Sequence, residues 1–161
     1  MLRTLLLLCA LTLPLAPVLG EPLREFNPGP AALDEFIGKG QWVIVKIWAS
    51  DCEICNREAH QYVDFHEFHK DTDGVMLGIS LDGQDRAAAL DFIERHEIPY
   101  PNLITDYATG MEWYTGVTGR QWIGTPTFLV YDPAGTLRAQ QVGAVPTQLI
   151  EQFIASNSNT N

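Results

Sequence analysis

A run of β-branched and aromatic residues leads directly into two closely spaced cysteines, and this junction most restricts how the chain can fold. Residues Val43–Trp48 have the composition of a buried strand. Cys52 and Cys55 follow with the spacing C-x-x-C, and neither glycine nor proline interrupts residues 53–70. The sequence therefore predicts a strand that turns into a helix, which starts near Cys52 and ends at about His69.

Strand and helix patterns alternate along the rest of the chain. The order strand–helix–strand–helix predicts parallel pairing in the first half, and a following hairpin predicts antiparallel pairing in the second half. The predicted fold class is therefore α/β. The further predicted elements are strands at 75–81, 102–105, 127–131 and 136–142, helices at 86–96, 111–114 and 147–155, and a helical turn at 33–37.

The first twenty residues have the pattern of an export signal. Arg3 supplies a positive charge before the apolar run Leu5–Leu19, and Gly20 is a small residue suited to cleavage. The run is shorter than the roughly 20 residues that a membrane-spanning helix needs, and two prolines would break it. We expect residues 1–20 to be a cleaved signal peptide and the protein to be exported to the periplasm. A retained membrane anchor is the less favoured alternative.

The rest of the chain is typical of one domain between two polar segments. Residues 21–32 contain several prolines and predict a linker, residues 33–155 carry the strand and helix patterns, and residues 156–161 predict a polar tail. An apolar fraction of 46% and a charged fraction of 19% indicate a globular protein. A net charge of −10 leaves no basic surplus for a nucleic-acid backbone. We therefore expect no nucleic-acid partner, and we expect the protein to be a monomer.

The cysteines that remain after cleavage favour redox chemistry. The thiolate is the reactive form of cysteine and is favoured at a helix N-terminus. Cys52 would therefore attack a substrate disulfide, and Cys55 would resolve the mixed disulfide. A static bridge across so short a loop would stabilise the fold little, and a metal site would need histidine ligands because Cys9 leaves with the signal peptide. These two alternatives are less favoured.

The segment from Val43 to Glu58, with Trp-Ala-Ser before the cysteines, resembles the active-site strand and helix of the TlpA-type branch of the thioredoxin superfamily. Gly124–Val130, with Asp132–Gly135 after it, resembles the second motif of that family, and the resemblance spans about residues 33–155. It implies a thioredoxin-like fold, a central mixed β-sheet flanked by helices. It also implies an exported thiol–disulfide oxidoreductase, usually a reductase, with a disulfide-bearing protein substrate, a membrane thiol donor of electrons and no cofactor or metal.

The resemblance assigns roles to three residues outside the cysteine pair. Pro126 is cis in the family and faces the cysteines, and Thr125 would present its backbone to an extended substrate segment. Glu58 completes the pattern C-x-x-C-x-x-E, which resembles a motif of the cytochrome-maturation reductases whose acid assists proton transfer. The alternatives are a proline that begins a strand and an exposed helix glutamate.

Lys46 departs from the family pattern, because it occupies the position of a buried Asp or Asn. Strand alternation predicts that its side chain lies on the same side as Ile44 and Trp48. A cation there would lower the thiol pKa and would form an ion pair with Glu58. In the alternative arrangement the stem of Lys46 packs while its ammonium group reaches water.

Asp51 and Glu53 are a second departure, because the family usually has an aromatic residue before the first cysteine. Both carboxylates should raise the pKa of Cys52, in keeping with a reducing couple. The approach to Pro126 is longer than usual and contains Trp122. This tryptophan lies either beside the substrate groove or in the packing of the loop.

The predicted function is an exported thiol–disulfide reductase of protein disulfides, with cytochrome c maturation as a role that the resemblance implies. The alternatives are a net disulfide oxidase, a copper-binding metallochaperone that uses the two cysteines and a histidine, and an apolar carrier or holdase. A peroxidase is disfavoured, because the lone cysteine expected in a Thr/Pro-rich turn is absent.

Overall fold

The computed structural model describes residues 23–29 and 31–158. The expected signal peptide at residues 1–20, with Cys9, lies outside the described residues, as does the end of the expected polar tail at 159–161. No helix in the described part of the chain has both the length and the apolar character that crossing a membrane requires.

Six strands form one mixed sheet. They are β1 (Leu23–Glu25), β2 (Trp42–Trp48), β3 (Gly74–Ser80), β4 (Asn102–Ile104), β5 (Thr127–Tyr131) and β6 (Leu137–Val142). Their order across the sheet is β1-β4-β3-β2-β5-β6. The β1–β4, β4–β3 and β3–β2 pairs are parallel, whereas β2–β5 and β5–β6 are antiparallel. The predicted α/β fold, with parallel pairing followed by antiparallel pairing, is therefore confirmed.

Helices cover both faces of the sheet, and each face has its own apolar core. The described helices are α1 (Glu53–Arg57), α2 (Ala59–His69), α3 (Arg86–Arg95), α4 (Tyr107–Thr118) and α5 (Thr147–Ser158). Ile44 and Trp48 of β2 join a core with α2, α3 and α5, whereas Val43, Val45 and Ile47 join a core with α4. This split follows from the alternation of side chains along a strand.

Two chain ends are more regular than the sequence predicted. Part of the expected linker at residues 21–32 forms β1, because residues 23–25 pair with the open edge of β4. Helix α5 continues three residues past the predicted end into the expected polar tail. Its last residue, Ser158, donates through Oγ to the Ile154 carbonyl and accepts from the indole Nε1 of Trp42 at 3.1 Å.

Helix α4 is much longer than the helix predicted at residues 111–114. It begins after the N-cap Asp106, whose carboxylate accepts from the Thr109 N–H, and it ends at Gly119 in the left-handed conformation (φ 67°). Gly110 does not break this helix. It is buried, and a β-carbon there would come 2.5 Å from Leu81, so this glycine allows the helix to approach the sheet closely.

Gly78 of β3 provides a test of how tightly the sheet packs around Trp48, the last residue before the loop of residues 49–52 (the cysteine loop). A β-carbon there would overlap the Asn102 amide, which accepts the Trp48 indole N–H at 3.1 Å. We expect Gly78→Ala to lower the free energy of unfolding by about 1–3 kcal/mol, as overpacked cores do. The matched control is Gly116→Ala in α4, where a β-carbon meets no described atom within 4 Å, and we expect it to gain up to about 1 kcal/mol. Equal effects of the two changes in denaturant titrations would contradict this packing.

Candidate active site

Cys52 and Cys55 form a disulfide where the loop after β2 enters α1, with their Cα atoms 5.2 Å apart. Cys52 is the N-cap of this helix, and its Sγ accepts from the Cys55 N–H at 3.1 Å. Cys55 is completely buried, whereas Cys52 is partly exposed. Only the Cys52 sulfur is therefore accessible to another disulfide, and Cys55 is the sulfur that can close the bridge from inside.

The single helix predicted from Cys52 to about His69 is interrupted at Glu58. Helix α1 ends at Arg57 and α2 begins at Ala59, because Glu58 has φ −105° and ψ 4°. The side chain of Glu58 is half-buried and its carboxylate accepts from the Tyr62 hydroxyl at 3.4 Å. Glu58 is thus directed toward a buried tyrosine and is not a fully exposed helix residue.

Lys46 is buried beneath the cysteine loop, with only 1% of its surface exposed. Its Nζ lies 4.5 Å from the centroid of the Tyr62 ring, which attracts the cation through its π-face. Burial lowers the pKa of Lys46 to about 8, and the negative charge of Glu58 opposes this shift. The ammonium group therefore does not reach water, contrary to the packing alternative.

The predicted Lys46–Glu58 ion pair is not formed. The charged atoms of these residues do not come within 4.0 Å, and Tyr62 contacts both side chains. The tyrosine hydroxyl also donates to the Val145 carbonyl at 2.8 Å, and burial raises the pKa of this hydroxyl well above its usual range. The sequence pattern placed both charges on the correct side of the sheet but did not reveal the intervening ring.

The loop before Cys52 is held from both sides by residues that the sequence did not single out. The Asp82 carboxylate accepts from the Ser50 N–H at 3.0 Å, the Ser50 hydroxyl at 2.6 Å and the Ser80 hydroxyl at 2.6 Å. The Asn56 amide donates to the carbonyls of Ser50 and Cys52 at 2.9 and 3.0 Å. One signal could have revealed Asp82: it follows β3 at the sheet edge where β2 leads to the cysteines.

A groove of about 440 Å³ lies beside the cysteine loop. Asp51 lines it from the cysteine side, and Thr125 and Trp122 line it from the loop before β5. The Thr125–Pro126 peptide bond is cis, as the resemblance implied. Thr125 is half-buried and Pro126 is buried. The structure therefore brings the two sequence motifs together along one groove.

Trp122 is packed in the loop and also lines the groove, so its position combines the two predicted locations. It is 5% exposed, and its Nε1 donates to the Thr127 hydroxyl at 2.9 Å. The edge of its ring meets the ring of Tyr107, with centroids 4.8 Å apart. Tyr107 is 56% exposed and was not predicted to lie near the site.

Asp51 and Glu53 are both exposed on either side of Cys52. The carboxylate of Glu53 lies 3.8 Å from the guanidinium of Arg57, one helical turn later. This pair is open to solvent, so it contributes little to stability. Within residues 23–29 and 31–158, no group of three or more His, Cys, Asp and Glu side chains is placed to hold a metal ion.

The mixed sheet, the disulfide at a strand-to-helix junction and the cis-proline loop beside it define a thiol–disulfide oxidoreductase of thioredoxin-like fold. The model of the AhpC/TSA family matches residues 22–140, and the chain belongs to this family.

Comparison with known proteins finds two thiol:disulfide interchange proteins and a peroxiredoxin. The thiol:disulfide interchange protein DsbE of Allochromatium vinosum is 28% identical over 142 residues, which are 83% of this chain and 72% of that protein. The peroxiredoxin Bcp of Bacillus subtilis is 30% identical over only 69 residues, 42% of this chain and 43% of that protein. A thiol:disulfide interchange protein of Chlorobium tepidum superposes with a TM-score of 0.66 over 85% of this chain and 97% of its own, at 18% identity. The thioredoxin-like fold is therefore confirmed.

Burial of Lys46 makes its contribution to stability depend on pH. Below pH 8 the amine is charged in both the folded and the unfolded chain, so folding carries the full cost of burying the charge. Between about pH 8 and 10.5 the folded protein loses this proton first, and the cost declines. We therefore expect Lys46→Met to raise the free energy of unfolding by about 3 kcal/mol at pH 7, and we expect this gain to disappear toward pH 10.5.

Denaturant titrations of both proteins at several pH values measure this difference. Lys39→Met is the control, because Lys39 is exposed, and we expect it to change stability little. A gain from Lys46→Met that stayed constant from pH 7 to pH 10.5 would show that the burial of its charge is not responsible.

Proposed function

We propose that this protein is an exported reductase of protein disulfides that cycles between the Cys52–Cys55 dithiol and disulfide. The observation that carries the proposal is the unequal burial of the two sulfurs beside a groove. The Cys52 thiolate attacks one sulfur of the client disulfide, forms a mixed disulfide and releases a client thiolate, which takes up a proton. Cys55 then loses its proton, attacks the Cys52 sulfur and releases the second client sulfur. Two electrons pass from the enzyme dithiol to the client.

The groove beside the cysteines seats the client chain in this proposal. The backbone N–H and C=O of Thr125 pair with an extended client segment, as the edge of a sheet pairs with an added strand. Pro126 fixes the direction of that backbone, and Trp122 supplies an apolar wall. The client cysteine is thereby held next to the exposed sulfur of Cys52.

Glu58 and Lys46 are the two charged residues that we assign to proton transfer and thiolate stabilisation near the buried Cys55. Cys55 has no exposed surface, so its proton must pass to a nearby group before it can attack. Glu58 lies three residues later, is half-buried and contacts Tyr62, and we assign it the role of proton acceptor. The cation of Lys46 favours the thiolate form of the cysteines, so Lys46→Met should raise the pKa of the Cys52 thiol.

Asp51 and Glu53 favour the reducing direction. Negative charge on both sides of Cys52 disfavours its thiolate, and a less stabilised thiolate gives a less oxidising couple. Residues 1–20 direct the protein to the periplasm, where a membrane thiol carrier restores the dithiol. Disulfides of apocytochrome c are the clients that the resemblance to cytochrome-maturation reductases suggests.

A trapping experiment tests the order of the two cysteines. Cys55→Ala removes the resolving thiol, so we expect client proteins to accumulate as mixed disulfides on Cys52, which non-reducing gels and mass spectrometry detect. Cys52→Ala is the matched control and should trap nothing. Insulin reduction should be lost in both variants. If wild type reduces insulin while Cys55→Ala accumulates no mixed disulfide, Cys52 is not the attacking thiol.

A further inference from the structure

We propose that Asn56 is a positioning residue for the attacking thiol: its side-chain amide holds the Cys52 backbone and stabilises the Cys52 thiolate. The inference rests on the proposed function in one respect, since it takes Cys52 as the sulfur that attacks. Asn56 directly follows the buried Cys55, and nothing in the C-x-x-C pattern requires an amide at that position.

Both the nitrogen and the oxygen of the Asn56 side-chain amide make hydrogen bonds. Its Nδ2 donates to the carbonyls of Ser50 at 2.9 Å and Cys52 at 3.0 Å. Its Oδ1 accepts from Nη1 of Arg95 at 2.9 Å and lies 3.1 Å from Nε2 of His96. One side chain thereby ties the cysteine loop to the end of α3, 40 residues away in sequence.

These partners determine which way the amide points. A guanidinium only donates, so the oxygen of Asn56 must face Arg95 and its NH₂ group must face the two loop carbonyls. The same oxygen requires His96 to carry its proton on Nε2. The other ring nitrogen, Nδ1, is then an acceptor, and it is buried without a partner among the described residues. A neutral His96 with this tautomer satisfies every contact of the amide.

Two N–H groups converge on the Cys52 carbonyl. The backbone N–H of Asn56 donates to this oxygen at 3.0 Å, and the side-chain Nδ2 donates at the same distance. Together they neutralise the negative end of a carbonyl that belongs to the attacking residue itself. The cation of Arg95 polarises the amide from behind and strengthens its N–H donors, although Asp91 pairs with Arg95 at 2.5 Å and moderates the effect.

This support adds to the Cys55 N–H, which donates to the Cys52 Sγ at 3.1 Å, and to the cation of Lys46. It matters because two other influences disfavour a thiolate at Cys52 or are weak. Asp51 and Glu53 place negative charges on both sides. Helix α1 has only five residues before the interruption at Glu58, so its dipole is small. The amide of Asn56 supplies positive potential close to the residue that must become negative. A role in stability alone would leave the titration of that thiol unchanged.

Two substitutions separate the contribution of the N–H donors from that of added charge. Asn56→Asp keeps the shape and the acceptor for Arg95 but turns an acceptor toward the two carbonyls, so we expect it to raise the pKa of Cys52 by about 1. Alkylation of Cys52 at pH 7 should then slow about threefold, because the higher nucleophilicity of the remaining thiolate offsets part of the loss. Asn56→Ala removes the donors without adding charge and should raise the pKa in the same direction by less.

The measurement is the pH dependence of Cys52 alkylation, followed by mass spectrometry in a Cys55→Ala background so that the peptide contains one thiol. Asn157→Asp is the matched control: its Nδ2 also donates to a backbone carbonyl, that of Phe153 at 2.7 Å, but in α5. We expect this control to leave the pKa of Cys52 unchanged.

Three results would overturn the proposal: an unchanged pKa in both Asn56 variants, a shift in Asn56→Asp with none in Asn56→Ala, or an equal shift in Asn157→Asp. If neither Asn56 variant folds, Arg95→Met replaces them in the test, because Arg95 is half-exposed. A raised pKa of Cys52 in this variant supports the proposal, and an unchanged pKa overturns it. Alkylation requires no client. A shift as expected together with failed client trapping would therefore reject the proposed function and Cys52 as the attacking thiol, and it would leave standing the effect of the Asn56 amide on the Cys52 thiolate.

Discussion

The placement of β2 between a parallel and an antiparallel neighbour is the constraint on which the whole site depends. The register sets Trp48 of β2 opposite Ser80 of β3, and Ile47 opposite Thr127 of β5. The loop to Cys52, the turn containing Asp82 and the cis-proline loop before β5 therefore meet at one edge of the sheet. A mixed sheet achieves this because the start of an antiparallel strand lies beside the ends of its parallel neighbours.

Hydrogen bonds fix the geometry of the loops that meet at this edge of the sheet. Ser50 has its N–H and hydroxyl bound by Asp82 and its carbonyl bound by Asn56, so the residues before Cys52 are fixed from the sheet and from α3. Each of these polar groups is partly shielded from water, and losing its partner would cost about 1–3 kcal/mol. The exposed sulfur of Cys52 therefore lies on a loop whose position these hydrogen bonds fix. The buried sulfur of Cys55 lies above a core that contains Lys46 and Tyr62. The charge of Lys46 is costly there, because the core shields it from water.

Local patterns in the sequence were sufficient for the parts of the fold with strong periodicity. The strand into Cys52, the helix after Asp85 and the hairpin around Asp132–Gly135 follow from residues within a few positions of each other. Gly110 was misleading, because it allows close packing against Leu81 and does not end a helix. Strand β1 could not be predicted, since three residues become a strand only when the edge of β4 is available.

The same distinction holds for the site: residues in local motifs could be predicted from the sequence, whereas residues placed by long-range contacts could not. The cysteines, Glu58 and the Thr125–Pro126 pair were located by spacing and resemblance. Asn56 and Asp82 were missed, because the hydrogen bonds by which they join the cysteine loop to the ends of α3 and β3 link residues 32 to 40 positions apart, and no local pattern encodes them. For Lys46, strand alternation predicted the correct face, but only the packed structure places the Tyr62 ring in contact with both this amine and Glu58.

The reduction potential of the Cys52–Cys55 couple, measured by equilibration with glutathione buffers, tests the central claim most directly. A reductase with negative charges flanking its attacking thiol should have a potential more negative than about −200 mV, closer to the roughly −270 mV of thioredoxin than to the roughly −120 mV of a strong oxidant. A potential near −120 mV would contradict the account, because a disulfide that accepts electrons so readily would oxidise its clients.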